Sequence, residues 1–452
     1  MVSRGLWLAA GAAFLAMLDT SIANLAFPDL GREFGAHVNG LTWIVTLYVV
    51  LFAAVLAPSG RLADVAGPRR LYRIGTGLFA VASLACALAP DLAWLLAARA
   101  LQGAGAGAMI PASLAVLLHG TPAEGRARAI GLWSAAGAVA AAIGPSVGGL
   151  MVDALGWRSL FLINVPVAVA LVYGARGLTR GTKAAGRLPD LLGTVLLGLG
   201  LGLLALGVSE GSEWGWTDPR TAAVLVAGAA ATVLALVRSA RHPVPALDVS
   251  LWRVPAFTAA SVVSFLYGLA FFPWMLVGVL VLTGLWGYDA LDAGLAMTPG
   301  AVTAAVGAIV LSRRATPRTA IVLGGVLMGA SAAWIWLALT PEPAFLTFWL
   351  PCGLLVGVGM GALATGVSGA SALSAGPERF AAATGLTTTA RQFGGALGVA
   401  VLAALLAADA PGLDAFLSVY LFCGVTAALA GAAGLAVPAR HMSAPTSEGA
   451  PA

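Results

Sequence analysis

Two charged residues inside long apolar runs are the residues most suited to chemistry. Asp19 directly follows Leu18, and Arg99 lies in an apolar run that begins near residue 92. A charge inside a membrane helix costs about 2.5–3.5 kcal/mol on insertion scales, which points to a function such as carrying a proton. Arginine keeps its charge and needs a partner or a water-filled cavity. We predict that both couple protons; the alternatives are a solvated Asp19 and an Arg99 that reaches the membrane surface.

A second group of polar and aromatic residues indicates a substrate pathway. Arg391 and Gln392 place a cation and an amide in one apolar run, and Phe271 and Trp274 in another could stack a flat hydrophobic ligand. The alternatives are hydrogen bonds between helices for the polar pair and contact with lipid for the rings.

Small residues and a proline concentrate in the run after residue 129. Gly131, Gly144, Pro145, Gly148 and Gly149 recur there. Proline bends a helix, and glycines let a neighbouring helix approach closely. The pattern is typical of an interface that rocks, and equally of a static kink.

The segment from Gly60 to Arg70 predicts a short cytoplasmic loop. One acid, Asp64, stands among several arginines, with glycine at 60 and 67 and arginine at 69 and 70. Ion pairs in such a loop could break when two halves of the protein move. A positively charged membrane anchor is the alternative.

Composition sets the framework for these residues. The chain is 60% hydrophobic and 10% charged, with a mean hydropathy of +0.94. Its sequence divides into fourteen apolar stretches of about 20 residues, the length that crosses a bilayer as a helix. We predict an all-α integral membrane protein. The net charge of +5 sits singly at helix ends, which excludes a nucleic-acid-binding face.

The basic residues predict the orientation. With the N-terminus in the cytoplasm, 19 Lys and Arg residues fall in inside segments, 3 in outside segments, and the last two, Arg99 and Arg391, within spans. Both termini are then cytoplasmic. Because 23 of the 24 basic residues are arginines, the composition suggests a GC-rich bacterium and its cytoplasmic (inner) membrane.

The longer inside segments divide the spans into six, two and six. We predict an N-terminal six-helix bundle over 1–176, a linker with two further helices over 177–254, a C-terminal bundle over 255–437 and a disordered tail over 438–452. Paired six-helix halves are a common transporter layout, with the substrate path between them.

Several chemistries are not expected. The chain has no Walker-A run, its four histidines stand at loops or span ends, and its three cysteines lie in apolar stretches. We therefore predict no enzyme activity, cofactor, metal site or disulfide, and the proton gradient as the energy source.

The chain resembles a 14-helix drug:proton antiporter of the major facilitator superfamily. Leu18 to Pro28 is similar to the helix-1 motif of that family, with Asp19, Asn24 and Pro28 in place. Gly60 to Arg70 is similar to its loop 2–3 signature, except for Val65 in place of an arginine. Further similar motifs are Arg99-Ala-Leu-Gln102-Gly103 in helix 4, Gly131 to Gly149 in helix 5 and Arg391 to Gly398 in helix 13.

The resemblance implies the major facilitator fold and proton-coupled export of a hydrophobic or cationic drug by alternating access. Asp19 and Arg99 would couple protons, and Asn24 and Gln102 would join the substrate pathway. The expected partners are a small-molecule substrate, protons and the lipid bilayer, with the protein acting as a monomer. The alternatives are an exporter of one endogenous metabolite, such as a self-made antibiotic, siderophore, lipid or amino acid, and a non-transporting scaffold or receptor.

Overall fold

The computed structural model describes residues 4–119, 121–122, 126–178, 190–245, 247–375, 380–407 and 412–439. These residues form helices and turns, and this part of the chain contains no strand. The tail predicted over 438–452 lies almost wholly outside the described residues.

Sixteen α-helices make up the described structure, and some join through short 3₁₀ or π segments. They are α1 (Arg4–Ile22), α2 (Phe27–Phe34), α3 (Val38–Ala66), α4 (Pro68–Ala87), α5 (Leu92–His119), α6 (Arg126–Leu155), α7 (Arg158–Leu162), α8 (Asn164–Gly174), α9 (Leu191–Trp214), α10 (Pro219–Arg241), α11 (Pro255–Leu280), α12 (Ala290–Arg314), α13 (Pro317–Ala338), α14 (Leu350–Ala375), α15 (Phe380–Leu405) and α16 (Leu413–Ala433).

Capping residues explain where several of these helices begin. Asp190, Asp218, Asp289 and Thr316 each accept a hydrogen bond from a backbone amide in the first turn of α9, α10, α12 and α13, respectively. Such bonds satisfy amides that have no partner within the helix. Proline occupies the first helical position of α4, α10, α11 and α13, where its missing N–H costs nothing.

Within the described residues, ten helical segments are long and apolar enough to cross a membrane. The prediction of an all-α membrane protein is confirmed in this coarser form. The helices α3, α4, α6 and α15 are not among the ten, although each has at least 20 residues. In α4 the reason is visible in the sequence, because Arg69, Arg70 and Arg73 occupy its first two turns.

The helices pack as two sets that meet along two seams. In the first set α1 packs on α6 and α5 packs on α3 and α4; in the second, α11 packs on α15 and α16, and α14 on α12 and α13. The seams between the sets are formed by α3 with α15 and by α6 with α12. The helices α9 and α10 pack on each other, and α9 also contacts α3 and α15.

Glycines permit the close approach of neighbouring helices. A Cβ atom on Gly103 in α5 would collide with the carbonyl oxygen of Tyr48 in α3, and one on Gly268 in α11 would collide with that of Arg391 in α15. Many of the glycines in this chain therefore act as packing residues, as in membrane helices generally.

Candidate functional site

A buried ion pair joins α1 to α5. Arg99 donates from Nη1 to Oδ2 of Asp19 across 2.8 Å, and each side chain is only 1% exposed. The structure thus brings together the two residues predicted to couple protons. Asp19 is not solvated at a helix end, and Arg99 does not reach a surface.

Two amides complete the shell of the Asp19 carboxylate. Gln102 in α5 and Asn164 at the start of α8 each donate to Oδ1 of Asp19 across 2.8 Å. Gln102 also donates to the hydroxyl of Ser83 in α4, which in turn donates to the carbonyl of Phe79. The carboxylate therefore accepts three hydrogen bonds, one from Arg99 and one from each amide.

The guanidinium of Arg99 has further partners. It donates from Nη1 to Oε1 of Gln102 at 2.6 Å and from Nε to the carbonyl of Ile44 at 3.0 Å. Its Cζ lies 4.3 Å from the ring centre of Tyr48 and 5.6 Å from that of Phe161. These rings add cation–π attraction to an arginine that has lost its water.

Sequence reasoning missed several members of this site. Asn164, Ser83 and Tyr48 are all buried, and none stands in a motif used above. Asn164 carried a usable signal, since it is a lone amide in the apolar run Leu162-Ile163-Asn164-Val165-Pro166. The aromatic neighbours of Arg99 carried none, because apolar stretches contain many such residues.

The Asp19–Arg99 pair and its partners connect several helices. Loss of either charge would leave the other buried without a counter-charge, which costs about 3–5 kcal/mol unless the helices rearrange or admit water. The charge state of this pair would therefore affect the relative positions of α1, α3, α4, α5 and α8.

The small residues of α6 allow close contact both with residues 21–25 of the same set and with α12 of the opposite set. A Cβ on Gly144 or Gly148 would collide with Ser21 or Leu25 of the first set, respectively. Gly149 faces the carbonyl of Ala290 in α12, and Gly294 of α12 faces the carbonyl of Pro145. The hydroxyls of Ser146 and Thr298 are hydrogen-bonded across the same seam. The contacts of Gly131 lie outside the described residues.

The predicted loop from Gly60 to Arg70 is wrong in its extent. Helix α3 continues to Ala66, α4 begins at Pro68, and Gly67 alone forms the turn with φ of 90°. Glycine adopts this backbone conformation without steric cost, so no longer loop is needed.

Arginine 69 ties this turn to the end of α8. Arg69 donates from Nη1 to the carbonyl of Leu178 at 2.6 Å and from Nη2 to that of Arg176, so its partners there are backbone carbonyls. Arg70 is exposed, and a Cβ on Gly60 would meet no atom within 4 Å. The side chain of Asp64 lies outside the described residues.

The residues predicted to line a substrate pathway are separated by the structure. Gln102 is fully buried within the Asp19 shell, and Asn24 is buried in the 3₁₀ segment Ala23–Ala26, where its Oδ1 has no described partner. Gln392 is buried, and buried Trp274 packs its ring 5.0 Å from that of Tyr420. Arg391 and Phe271 are half-buried on α15 and α11, two helices in contact.

Comparison with known proteins gives a family model and close relatives. The model of the Major Facilitator Superfamily matches residues 9–399. A methylenomycin A resistance protein of Streptomyces coelicolor is 36% identical over 406 residues, covering 87% of this chain and 83% of the relative. The cephamycin export protein CmcT of Amycolatopsis lactamdurans is 35% identical, covering 92% and 87%, respectively.

A third relative and a solved structure extend this comparison. The multidrug resistance protein Stp of Mycobacterium tuberculosis is 32% identical, covering 87% of this chain and 74% of the relative. Among solved structures, a POT family transporter in complex with a thioalcohol-conjugated peptide superposes with a TM-score of 0.70 at 15% identity, covering 95% of both chains. At that identity the likeness concerns the fold alone.

Proposed function

The chain belongs to the major facilitator superfamily, and from this premise we propose that it exports a drug or antibiotic in exchange for protons. The relatives named for resistance or export support the export of such compounds. The protein is a multi-pass membrane transporter, which accounts for the bilayer-length apolar helices and for a fold built from two packed sets.

The observation that carries the proton coupling is the buried Asp19–Arg99 pair with its shell of amides. A carboxylate that accepts three hydrogen bonds holds α1, α5 and α8 in one arrangement. A proton that reaches Asp19 weakens this arrangement, and loss of the proton restores it. Exchange follows if the substrate and the proton favour opposite arrangements of the two sets.

The seams between the sets are where we place the movement. Close backbone contact of α6 with α12, and contact of α3 with α15, would let one set rotate on the other around a substrate held between them. The small residues of Gly144 to Gly149 keep the α6 surface smooth enough for such a movement. This supports the interpretation of that segment as part of the exchange mechanism.

The finer topology is also part of the proposal. We place fourteen spans in the membrane, adding α3, α4, α6 and α15 to the ten apolar segments. The bundles would comprise residues 1–176 and 255–437, with the linker 177–254 carrying α9 and α10. Both termini would face the cytoplasm of a bacterium, and the monomer would be the transporting unit.

A second candidate is export of one endogenous compound. It is favoured by the relatives whose names refer to a single antibiotic, such as the cephamycin export protein and a probable actinorhodin transporter of Streptomyces coelicolor, which is 32% identical. Growth tests with many antibiotics distinguish the two candidates, since a dedicated exporter protects against one compound and a multidrug exporter against several.

The test of proton coupling uses inverted membrane vesicles with an imposed pH gradient. Addition of a transported drug to vesicles with the wild-type protein is expected to collapse part of the gradient. Asp19→Asn should abolish this response, because the amide cannot carry a proton. Asp29→Asn is the matched control, since Asp29 in α2 is partly exposed and pairs with the exposed Arg32.

The outcomes separate the parts of the proposal. A drug response that survives in Asp19→Asn would remove Asp19 from the coupling. If the wild type neither confers resistance to any compound of a broad panel nor responds in vesicles, while it is folded and in the membrane, the export function itself is wrong.

A further inference from the structure

Arg391, like Asp19 and Arg99, is a charge within a long apolar part of the described helices, but those two residues neutralise each other. Arg391 is the twelfth of 26 residues in α15 and therefore about 16 Å from its first residue and about 21 Å from its last at 1.5 Å per residue. No carboxylate or hydrogen-bond partner of its guanidinium occurs among the described residues.

Arg391 lies where α15 packs closely on α11. Its electrostatic neighbour is Tyr267 of α11, which is only 4% exposed. The carbonyl of Arg391 lies against Gly268, so α11 and α15 are in close contact at this level. The Arg391 side chain is half-buried. It therefore lies beside a buried ring and keeps accessible surface that a ligand could contact.

An arginine in this position requires an anion or water to compensate its charge. A charge in the middle of the membrane is costly unless it meets an opposite charge or water. Unlike Arg99, Arg391 receives no counter-charge from the described protein. The guanidinium has a planar fork of donors that fits a carboxylate or a phosphate better than an ammonium group does.

The surface beside Arg391 is aromatic. Tyr267 and Phe271 are one helical turn apart on the same face of α11, with ring centres 5.4 Å apart. Phe271 is half-buried, so one part of its ring is accessible. A flat apolar group lying on Phe271 would place a charged substituent within the neighbourhood of Arg391.

We propose that Arg391 recognises the charge of the substrate, and that the protein exports amphipathic organic anions with a carboxylate or similar group and a flat apolar body. This inference rests on the proposed export function and narrows its substrate. It replaces the cationic class expected from the sequence resemblance. Tyr267 and Phe271 form the apolar side of this site.

The test uses two dyes that share the xanthene ring system, anionic fluorescein and cationic rhodamine 123. Uptake of each dye into energised inverted vesicles is measured for the wild type, Arg391→Gln and Arg391→Lys. Arg32→Gln, at an exposed arginine, is the control for loss of a positive charge. Detergent-purified samples are checked for a single folded species.

Wild-type vesicles are expected to take up fluorescein, and Arg391→Gln to lower that uptake roughly tenfold or more, the usual loss for a charge-assisted hydrogen bond. Arg391→Lys should retain an intermediate rate because it keeps the charge but not the fork. Uptake of rhodamine 123 should not fall in either variant. Arg32→Gln should behave as the wild type.

Three results overturn the inference while leaving export intact. They are unchanged fluorescein uptake in Arg391→Gln, an equal loss for both dyes, and wild-type transport of rhodamine 123 alone. If the wild type transports neither dye, the test is the charge of the compounds to which the protein confers resistance. Resistance confined to cations or neutral molecules overturns the proposed role of Arg391. If it confers no resistance at all, the proposed export function has failed and this inference fails with it.

Discussion

Asp19 and Arg99 are 80 positions apart in the sequence, yet their side chains meet at 2.8 Å and are almost completely buried. The contact joins α1 to α5 within one set of helices. The amides of Gln102 and Asn164 enclose the carboxylate from two further directions. Because each partner comes from a defined helix, replacing any one of them has a distinct expected effect.

Removing Arg99 alone should destabilise the protein more than removing both charges. In Arg99→Leu the carboxylate of Asp19 stays buried without its counter-charge, which costs about 3–5 kcal/mol. The double variant Asp19→Asn with Arg99→Leu should recover part of this loss. Thermal unfolding of the wild type, Asp19→Asn, Arg99→Leu and the double variant in detergent gives the coupling energy between the two side chains. Additive effects of the two changes would show that the pair does not contribute to stability.

Asn164→Ala should slow proton-coupled transport. The change removes one of the three hydrogen bonds that the Asp19 carboxylate accepts, so α8 is held less firmly to α1 and α5. Drug-induced collapse of an imposed pH gradient in inverted vesicles should slow by about fivefold, the factor that corresponds to a net hydrogen bond of ~1 kcal/mol. Asn164→Asp keeps the size of the side chain but adds a second acid, and serves as the contrasting variant. An unchanged rate in Asn164→Ala would mean that Asn164 only packs.

Gly294→Ala should block transport without preventing insertion. The new Cβ would collide with the carbonyl oxygen of Pro145 on the opposite set, so α6 and α12 could not come as close. Transport should fall at least tenfold, and a cysteine introduced beside the seam should react faster with a water-soluble reagent. Gly77→Ala in α4 is the control, because a Cβ there meets no atom within 4 Å. Equal behaviour of both variants contradicts the prediction.

The contact between Asp190 and Arg238 should make stability depend on pH. Burial raises the pKa of Asp190, but hydrogen bonds from the Gly193 amide and from Arg238 outweigh it, and the pKa lies below its usual value. The contact therefore stabilises the folded state at neutral pH and is lost as the pH falls through the lowered pKa.

Asp190→Asn should accordingly lower the unfolding temperature at pH 7 and have little effect in acid well below the lowered pKa of Asp190, where the wild-type carboxyl is also protonated. The control is Asp248→Asn, since among the described residues Asp248 accepts hydrogen bonds only from Ser250, two positions further along the chain. A difference between Asp190→Asn and the wild type that is the same at both pH values would show that only the shape of the side chain matters.

The sequence was informative where a single residue contradicted its surroundings. Asp19 and Arg99 stood out because a charge in an apolar run has a large cost, and both are in the buried site. The same rule applied to amides would have found Asn164. It did not decide the role of Gln102 or Gln392, because a polar residue in an apolar run can either line a path or bond within the protein. The sequence does not show which neighbouring residue such a polar side chain contacts.

Local sequence patterns also predicted the helices better than the turns between them. Long apolar stretches with proline or aspartate at their starts predict membrane helices, since the bilayer offers no other partner for the backbone. The segment from Gly60 to Arg70 was less predictable, because its polar residues fit a loop as well as the end of a helix. One glycine with positive φ shortened the turn to a single residue.

By itself, the sequence determined that this is a membrane protein, the family it belongs to and the residues whose charge requires a partner. These follow from composition and from local pattern, which do not depend on how the chain folds back on itself. Only the tertiary structure decided that Asp19 meets Arg99, Gln102 and Asn164, while Arg391 meets no described counter-charge. Pairing depends on which helix faces are in contact, and α1, α5, α8 and α15 are brought to their neighbours by packing along their whole length.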